Sequence, residues 1–233
     1  MQTGEPYLIF KDTANNAMPQ WLKDAGHQIN GSNLCTEIFL PTNKDRTAVC
    51  CLSSVNLEYF DDWKNSKLFI RDTLEMLDNV LNYFIENAPD TISRARFSAM
   101  RERSIGLGAL GWHAFLQRKL IPFDSVMSKV WNKRIFEYIH TECAAADKAL
   151  MELRGACADA AEQGVARRFS HWTAIAPNAS SSLIMGNTSP SIEPYRANVY
   201  RQDTMSGAYV HKNRFLIQQL EELGLNTDDT WAS

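Results

Sequence analysis

Asn33, Cys35 and Glu37 place an amide, a thiol and a carboxylate at alternate positions within Gly31-Ser32-Asn33-Leu34-Cys35-Thr36-Glu37-Ile38. If this segment is extended or a stiff loop, the two-residue period puts these three on one side and Leu34, Thr36 and Ile38 on the other. Such a row can grip a polyhydroxylated substrate. The amide donates and accepts hydrogen bonds, the carboxylate takes a proton, and the sulfur can be oxidised. The spacing also fits a small buried cysteine in an ordinary strand flanked by solvated polar residues. A second block, Cys50-Cys51-Leu52-Ser53-Ser54-Val55-Asn56-Leu57, follows closely. The apolar run Thr47 to Leu52 predicts a strand buried on both faces. Adjacent Cys50 and Cys51 must then point to opposite faces, and only one of them can share a site with Cys35.

Two loops could hold a ligand. Gly106-Leu107-Gly108-Ala109-Leu110-Gly111 spells Gly-x-Gly-x-x-Gly. A dinucleotide site needs a hydrophobic strand just before these glycines, whereas Arg94 to Arg103 is charged. The glycines are better read as letting a helix through Phe115 and Leu116 approach a neighbouring backbone. Pro177-Asn178-Ala179-Ser180-Ser181-Ser182 follows the predicted short strand His171 to Ala176 and opens a helix through Leu183, Ile184 and Met185. Small hydroxyl residues at a helix start leave backbone N–H groups and a positive dipole end for phosphate. A helix cap without a ligand has the same sequence.

Asn33-Leu34-Cys35-Thr36-Glu37-Ile38 with Leu40-Pro41-Thr42, then Cys50-Cys51-Leu52-Ser53 with Asn56-Leu57, resembles the active-site finger of the large, catalytic subunit of class I ribonucleotide reductase. Arg103-Ser104-Ile105-Gly106-Leu107-Gly108, the 177–182 loop and Ser191-Ile192-Glu193-Pro194 match in the same order, so the resemblance runs across most of the chain. It implies an α/β fold: part of a ten-stranded α/β barrel, with one domain over 1–233, a finger loop at about 31–40 and a phosphate loop at 177–182. The activity implied is reduction of ribonucleoside diphosphates to deoxyribonucleoside diphosphates for DNA synthesis. A small, metal-containing radical subunit would oxidise Cys35 to a thiyl radical, which removes the ribose 3′ hydrogen. Glu37 would act as base on the 3′ hydroxyl, Asn33 would hold the substrate, and Cys50 would be one of the two cysteines that supply electrons. Cys51 takes the variable position of the family pattern. Asn178, Ala179, Ser180 and Ser181 would bind the diphosphate, with Asn178 and Ser180 standing where the family usually has threonine or serine.

By the same resemblance no cofactor or metal is bound directly, and an external thiol reductant of the thioredoxin or glutaredoxin type renews the site. The expected partners are the substrate, the radical subunit, the remaining part of the large subunit and further copies in an oligomer. Residues 1–34 contain no cysteine to pair with Cys50. The family's tyrosine pair and carboxyl-terminal cysteines are also missing. The chain therefore reads as the middle-to-late part of a catalytic domain, a fragment or one piece of a split subunit, inactive alone. Two alternatives stand beside this: a non-catalytic half-barrel that binds nucleotide, and the cobalamin-dependent class of the same enzyme.

The composition fits this reading. At 233 residues, 45% hydrophobic and 22% charged, the chain can bury a sizeable core. A net charge of −3 gives no basic field for DNA or RNA. No apolar run approaches the ~18 residues of a membrane helix, and the first residues lack the pattern of a secretion signal, so a cytoplasmic protein is expected. Five cysteines without such a signal argue against a disulfide framework. Scattered histidines and the lack of a Cys-x-x-Cys pair argue against zinc. Cys143 and Cys157 read as packing residues.

The elements that must position these groups are partly legible. Tyr7 to Phe10 predicts a short strand, followed by a polar irregular stretch from Lys11 to Asn30. Ile70, Leu74, Leu77, Leu81 and Phe84 predict a helix over about 66–87, closed by Ala88-Pro89. Trp131, Ile135, Ile139, Cys143, Ala146 and Leu150 predict a long helix with Ser125 as N-cap and Gly155 as stop. A last helix is expected over 213–223, before Gly224. Tyr195, Tyr200 and Tyr209 read as aromatic packing.

Overall fold

The computed structural model describes residues 5–204 and 207–232. In chain order its elements are α1 (Lys11–Ala17), α2 (Gln20–Asp24), β1 (Cys51–Asn56), α3 (Phe60–Trp63), α4 (Phe69–Asn87), α5 (Ser93–Glu102), β2 (Ile105–Leu110) and α6 (Trp112–Arg118). Then come α7 (Val126–Arg154), α8 (Ala158–Glu162), α9 (Ser181–Ile184), β3 (Val199–Thr204), β4 (Gly207–Lys212), α10 (Arg214–Glu222) and α11 (Asp228–Ala232). β1 pairs with β2, and β3 with β4. The chain forms two compact units. The first gathers the segment ending at Val55 with Asp61–Gly108 and Arg134–Pro177, and the second gathers Asn56–Phe60, Ala109–Lys133 and the segment from Asn178 on.

In the first unit the helical periodicity is realised as predicted. Ile70, Leu74, Leu77 and Leu81 of α4 are each no more than 2% exposed, and burial of such a side chain contributes about 1.5–3 kcal/mol. Ala88 takes φ −63° and ψ 131° and ends α4, as a residue before proline must. On α7, Ile135, Ile139, Cys143, Ala146 and Leu150 are buried. Ser125 accepts the Ser128 N–H at 3.1 Å, and Gly155 leaves the helix at φ 83°. Cys143 and Cys157 are buried free thiols, pushed by burial to about 12 and about 11.

Several shorter elements differ from expectation. Tyr7 to Phe10 forms no strand and leads, exposed, into α1. The stretch expected to be irregular holds α1 and α2, and Met18, just after α1, forms a small core with Leu22 of α2 and Ile29. Each helix buries too few residues to show a period. β1 begins at Cys51 rather than Thr47, and its first residues are only partly buried. His171 to Ala176 forms a single parallel bridge, Leu107 to Thr173, instead of a strand.

The glycines at 106 and 108 lie inside a strand rather than at a helix. All six residues of β2 are buried, and a Cβ on Gly108 would stand 2.4 Å from the Ala174 carbonyl oxygen. The close approach expected of these glycines is real, but β2 makes it. In the second unit, β3 and β4 pair antiparallel from Val199–Lys212 to Thr204–Gly207, a hairpin the sequence did not announce. Tyr200 stacks on His211 at 5.1 Å and Tyr195 packs against His113 at 5.5 Å, whereas Tyr209 is 49% exposed. α10 starts at the Asn213 cap, whose side chain accepts from the N–H of Phe215 and Leu216. Among the described residues no helix is long and apolar enough to cross a membrane.

Candidate active site

The segment carrying Cys35 is a narrow loop closed at its base by an antiparallel bridge between Ile29 and Pro41. Asn30 reinforces the closure by donating to the Thr42 carbonyl at 2.7 Å. At the tip the chain turns sharply. The Thr36 N–H reaches the Asn33 carbonyl at 3.2 Å, and Thr36 sits at φ 66°, in the left-handed region. The Asn33 side-chain oxygen accepts the Ile38 N–H at 3.0 Å. This turn breaks the two-residue alternation expected of an extended segment. Leu34 and Cys35 are thrown outward, Leu34 to 84% exposure, while Glu37 turns inward.

Below the base of the loop, Arg46 anchors the chain that runs on to Cys50. Its guanidinium donates to Asp159 at 2.6 and 2.9 Å and to Glu102 at 3.0 Å, and His27 stands 3.5 Å from the same aspartate. A buried arginine paired on both sides holds its segment with little freedom.

Glu37 and Cys50 face one cavity of about 630 Å³, lined also by Phe10, Phe39, Ser104 and His171. One oxygen of Glu37 is buried without a hydrogen-bond partner among the described residues, so it is free to accept from a group brought into the cavity. Burial pushes the Cys50 thiol up to about 12, against a hydrogen bond from Ser104 that pulls it down. Burial also raises Cys51, opposed by the nearby charge of Arg103. Cys50 lines the cavity and Cys51 does not, although β1 begins only at Cys51 and the strand expected to hold both thiols does not form. His171 is driven down to about 4 by burial and by Arg167. It is a neutral imidazole on the cavity wall at neutral pH.

In the second unit, Asn178 adopts φ 55° and donates to the Ala109 carbonyl at 3.3 Å. Ala179, Ser180 and Ser181 follow, exposed, and α9 opens at Ser181 with Ser182 buried behind it. The Ser182 hydroxyl donates back to the Ala179 carbonyl at 3.1 Å. The loop thus presents small side chains, while the Ser182 N–H already donates to the Asn178 carbonyl at 3.0 Å and the Leu183 N–H to the Ser180 carbonyl at 3.2 Å. Among the described residues no group of three or more His, Cys, Asp and Glu could hold a metal ion.

The family model described as ribonucleotide reductase, barrel domain, matches residues 1–159 and 148–232. The chain belongs to the ribonucleotide reductase barrel-domain family. It is 53% identical over 221 residues to the ribonucleoside-diphosphate reductase large subunit of Invertebrate iridescent virus 3, covering 95% of this chain and 35% of that protein. The putative large subunit of Frog virus 3 (isolate Goorha) is 48% identical, covering 100% of this chain and 41% of that protein. Among solved structures, the Actinobacillus ureae class Id ribonucleotide reductase alpha subunit superposes with a TM-score of 0.90 at 40% identity, over 99% of this chain and 42% of that one. The chain thus spans well under half the length of these relatives.

Within this reductase barrel portion, the residues singled out by sequence fall into separate settings. Glu37 and Cys50 share a cavity, Cys35 is exposed on the turn beside Glu37, and the Asn33 oxygen is committed to holding that turn. Ser104 and His171 were not read as site residues. Ser104 carried no signal beyond its place in the Arg103-Ser104-Ile105-Gly106 block. His171 carried none, because its place on the wall depends on residues distant in sequence.

Proposed function

We propose that this chain carries the chemistry of ribonucleoside diphosphate reduction as part of a large reductase subunit, acting in the cytoplasm with a small radical-generating subunit. The observation that carries this reading is the shared cavity of Glu37 and Cys50 beside the turn that bears Cys35, in a chain of the reductase barrel family. Cys35, once oxidised to a thiyl radical by the partner subunit, takes the 3′ hydrogen of the ribose and, after the 2′ carbon has been reduced, returns it to the 3′ carbon, which restores the thiyl radical. Glu37 removes the 3′ hydroxyl proton with its unpartnered oxygen. Asn33 shapes the turn through its oxygen and offers its amide N–H groups to the substrate. Loss of the 2′ hydroxyl as water takes two electrons and two protons from a pair of thiols, of which Cys50 is one, and the pair closes to a disulfide. An external thiol of the thioredoxin or glutaredoxin type reopens it. Asn178, Ala179, Ser180 and Ser181 hold the diphosphate through backbone N–H groups and small hydroxyls. We further propose that the finger loop spans about 31–40, that residues 1–233 are one portion of a single barrel domain, and that the working enzyme is an oligomer.

The test is deoxyribonucleoside diphosphate formation by this chain supplied with the rest of a large subunit and a radical subunit, compared with Cys35→Ser. Product from the wild type and none from the variant is the expected result. Binding of nucleoside diphosphate with no product under any such supply would favour the non-catalytic module.

A further inference from the structure

The Cys50 sulfur sits in a socket built by β2 and the residue before it. Ser104 is 0% exposed, and its hydroxyl donates to Cys50 Sγ at 3.6 Å. Two residues on, Gly106 leaves the space the sulfur occupies. A Cβ there would stand 3.2 Å from Cys50 Sγ and 2.3 Å from Leu52 Cδ2. The Cys50 sulfur also stands 4.0 Å from the Cys51 carbonyl oxygen. The ionisable groups that bear on this sulfur, Cys51, Glu37 and Glu102, all oppose a second negative charge. The Ser104 hydroxyl is the neighbour that favours one.

Ser104 is itself aimed by the turn before it. Arg103 ends α5 in the left-handed region at φ 48°, with Nε bound to Asp78 at 2.9 Å. The serine therefore enters the cavity wall from a fixed direction rather than from a mobile loop.

We propose that Ser104 is a positioning residue for Cys50: its hydroxyl fixes the sulfur on the cavity wall and stabilises the thiolate, with Gly106 leaving the room the sulfur needs. The inference rests on the assignment of Cys50 to the reducing pair. A thiol must ionise to act as a nucleophile in disulfide chemistry, so the group that stabilises its anion sets how readily it does so.

The test uses the 233-residue chain and alkylation by iodoacetamide between pH 7 and 10, with Cys50 and Cys51 distinguished by fragment mass spectrometry. In Ser104→Ala the Cys50 rate profile should move to higher pH, slowing alkylation roughly three- to tenfold at a given pH. The Cys51 profile should stay in place as an internal reference for the fold. Ser104→Thr, which keeps the hydroxyl, should return the Cys50 profile toward that of the wild type. An unmoved Cys50 profile in Ser104→Ala, a parallel shift of Cys51, or a threonine variant as slow as alanine would each overturn the proposal. No substrate or partner enters this measurement. The role of Cys50 in reduction is tested separately, by loss of product in Cys50→Ser in the reconstituted assay.

Discussion

Replacing Asp78 by asparagine removes the charge on which three arginines of the first unit converge. Asp78 is 0% exposed, and Arg103 and Arg168 are each 7% exposed. Its carboxylate accepts from Arg103 Nε at 2.9 Å, Arg154 Nη1 at 2.7 Å and Arg168 Nη2 at 3.0 Å. Burial alone would raise the Asp78 pKa, but the guanidinium groups of Arg103, Arg168 and Arg154 reverse this and hold it below its ordinary value. Breaking one side of a buried ion pair costs about 3–5 kcal/mol. Each arginine keeps a fallback: Asn82 for Arg103, Glu75 for Arg154, and the carbonyls of Arg154 and Gly155 for Arg168. The loss should therefore sit near the lower end, about 3 kcal/mol.

The assay is urea unfolding followed by far-UV circular dichroism, with Asp90→Asn as the reference. Asp90 is 93% exposed in its pair with Arg96, and such surface pairs are worth under about 1 kcal/mol. With a slope of about 2–3 kcal/mol/M, the Asp78→Asn midpoint should fall by roughly 1 M. A folded-state pKa held low contributes stability above the unfolded value of 3.8 that is lost as pH falls through the folded value. The gap between the wild type and Asp78→Asn should thus be constant from pH 6 to 8 and close below about pH 4. A loss no larger than that of Asp90→Asn would refute the reasoning.

Two further outcomes follow from local geometry and charge. Gly111 has φ 78°, and a Cβ there would meet Asn56 Oδ1 at 2.3 Å and Thr188 Oγ1 at 2.9 Å, whereas Gly155 at φ 83° has nothing within 4 Å. Gly155→Ala should cost about 1 kcal/mol for the left-handed backbone alone. Gly111→Ala should cost at least about 2 kcal/mol more through the clash with Asn56 and Thr188; equal midpoints in urea would sink that distinction. His171, held at about 4 against an ordinary 6.5, is folded in its neutral form. Stability should fall as pH drops through 6.5 toward 4, by roughly 1.5 kcal/mol between pH 6.5 and 5, and His171→Phe should remove that dependence. Parallel stability curves for the two chains would contradict it.

What the sequence determined by itself were the long helices and the family to which the chain belongs. α4 and α7 each carry enough apolar residues at helical spacing to fix both the element and its buried face. Ala88-Pro89, Gly155 and Gly224 mark ends through backbone restrictions that act locally. The blocks around Cys35, Cys50 and the 177–182 loop carried the family resemblance, and the barrel-domain family match bears that resemblance out.

Tertiary structure decided what depends on distant neighbours. α1 and α2 form in a polar stretch because Met18 and Leu22 close over Ile29. β2 tolerates two glycines because Leu52 and Ala174 occupy the space their side chains would need. Two residues decide the arrangement around Cys35: the Asn33 carboxamide and the left-handed Thr36 convert an expected extended row into a turn, sending Cys35 out and Glu37 in. A period-two pattern records only which side chains alternate. Whether the backbone stays extended depends on the hydrogen bonds that Asn33 makes with Thr36 and Ile38, in a loop whose base is closed by the Ile29–Pro41 bridge.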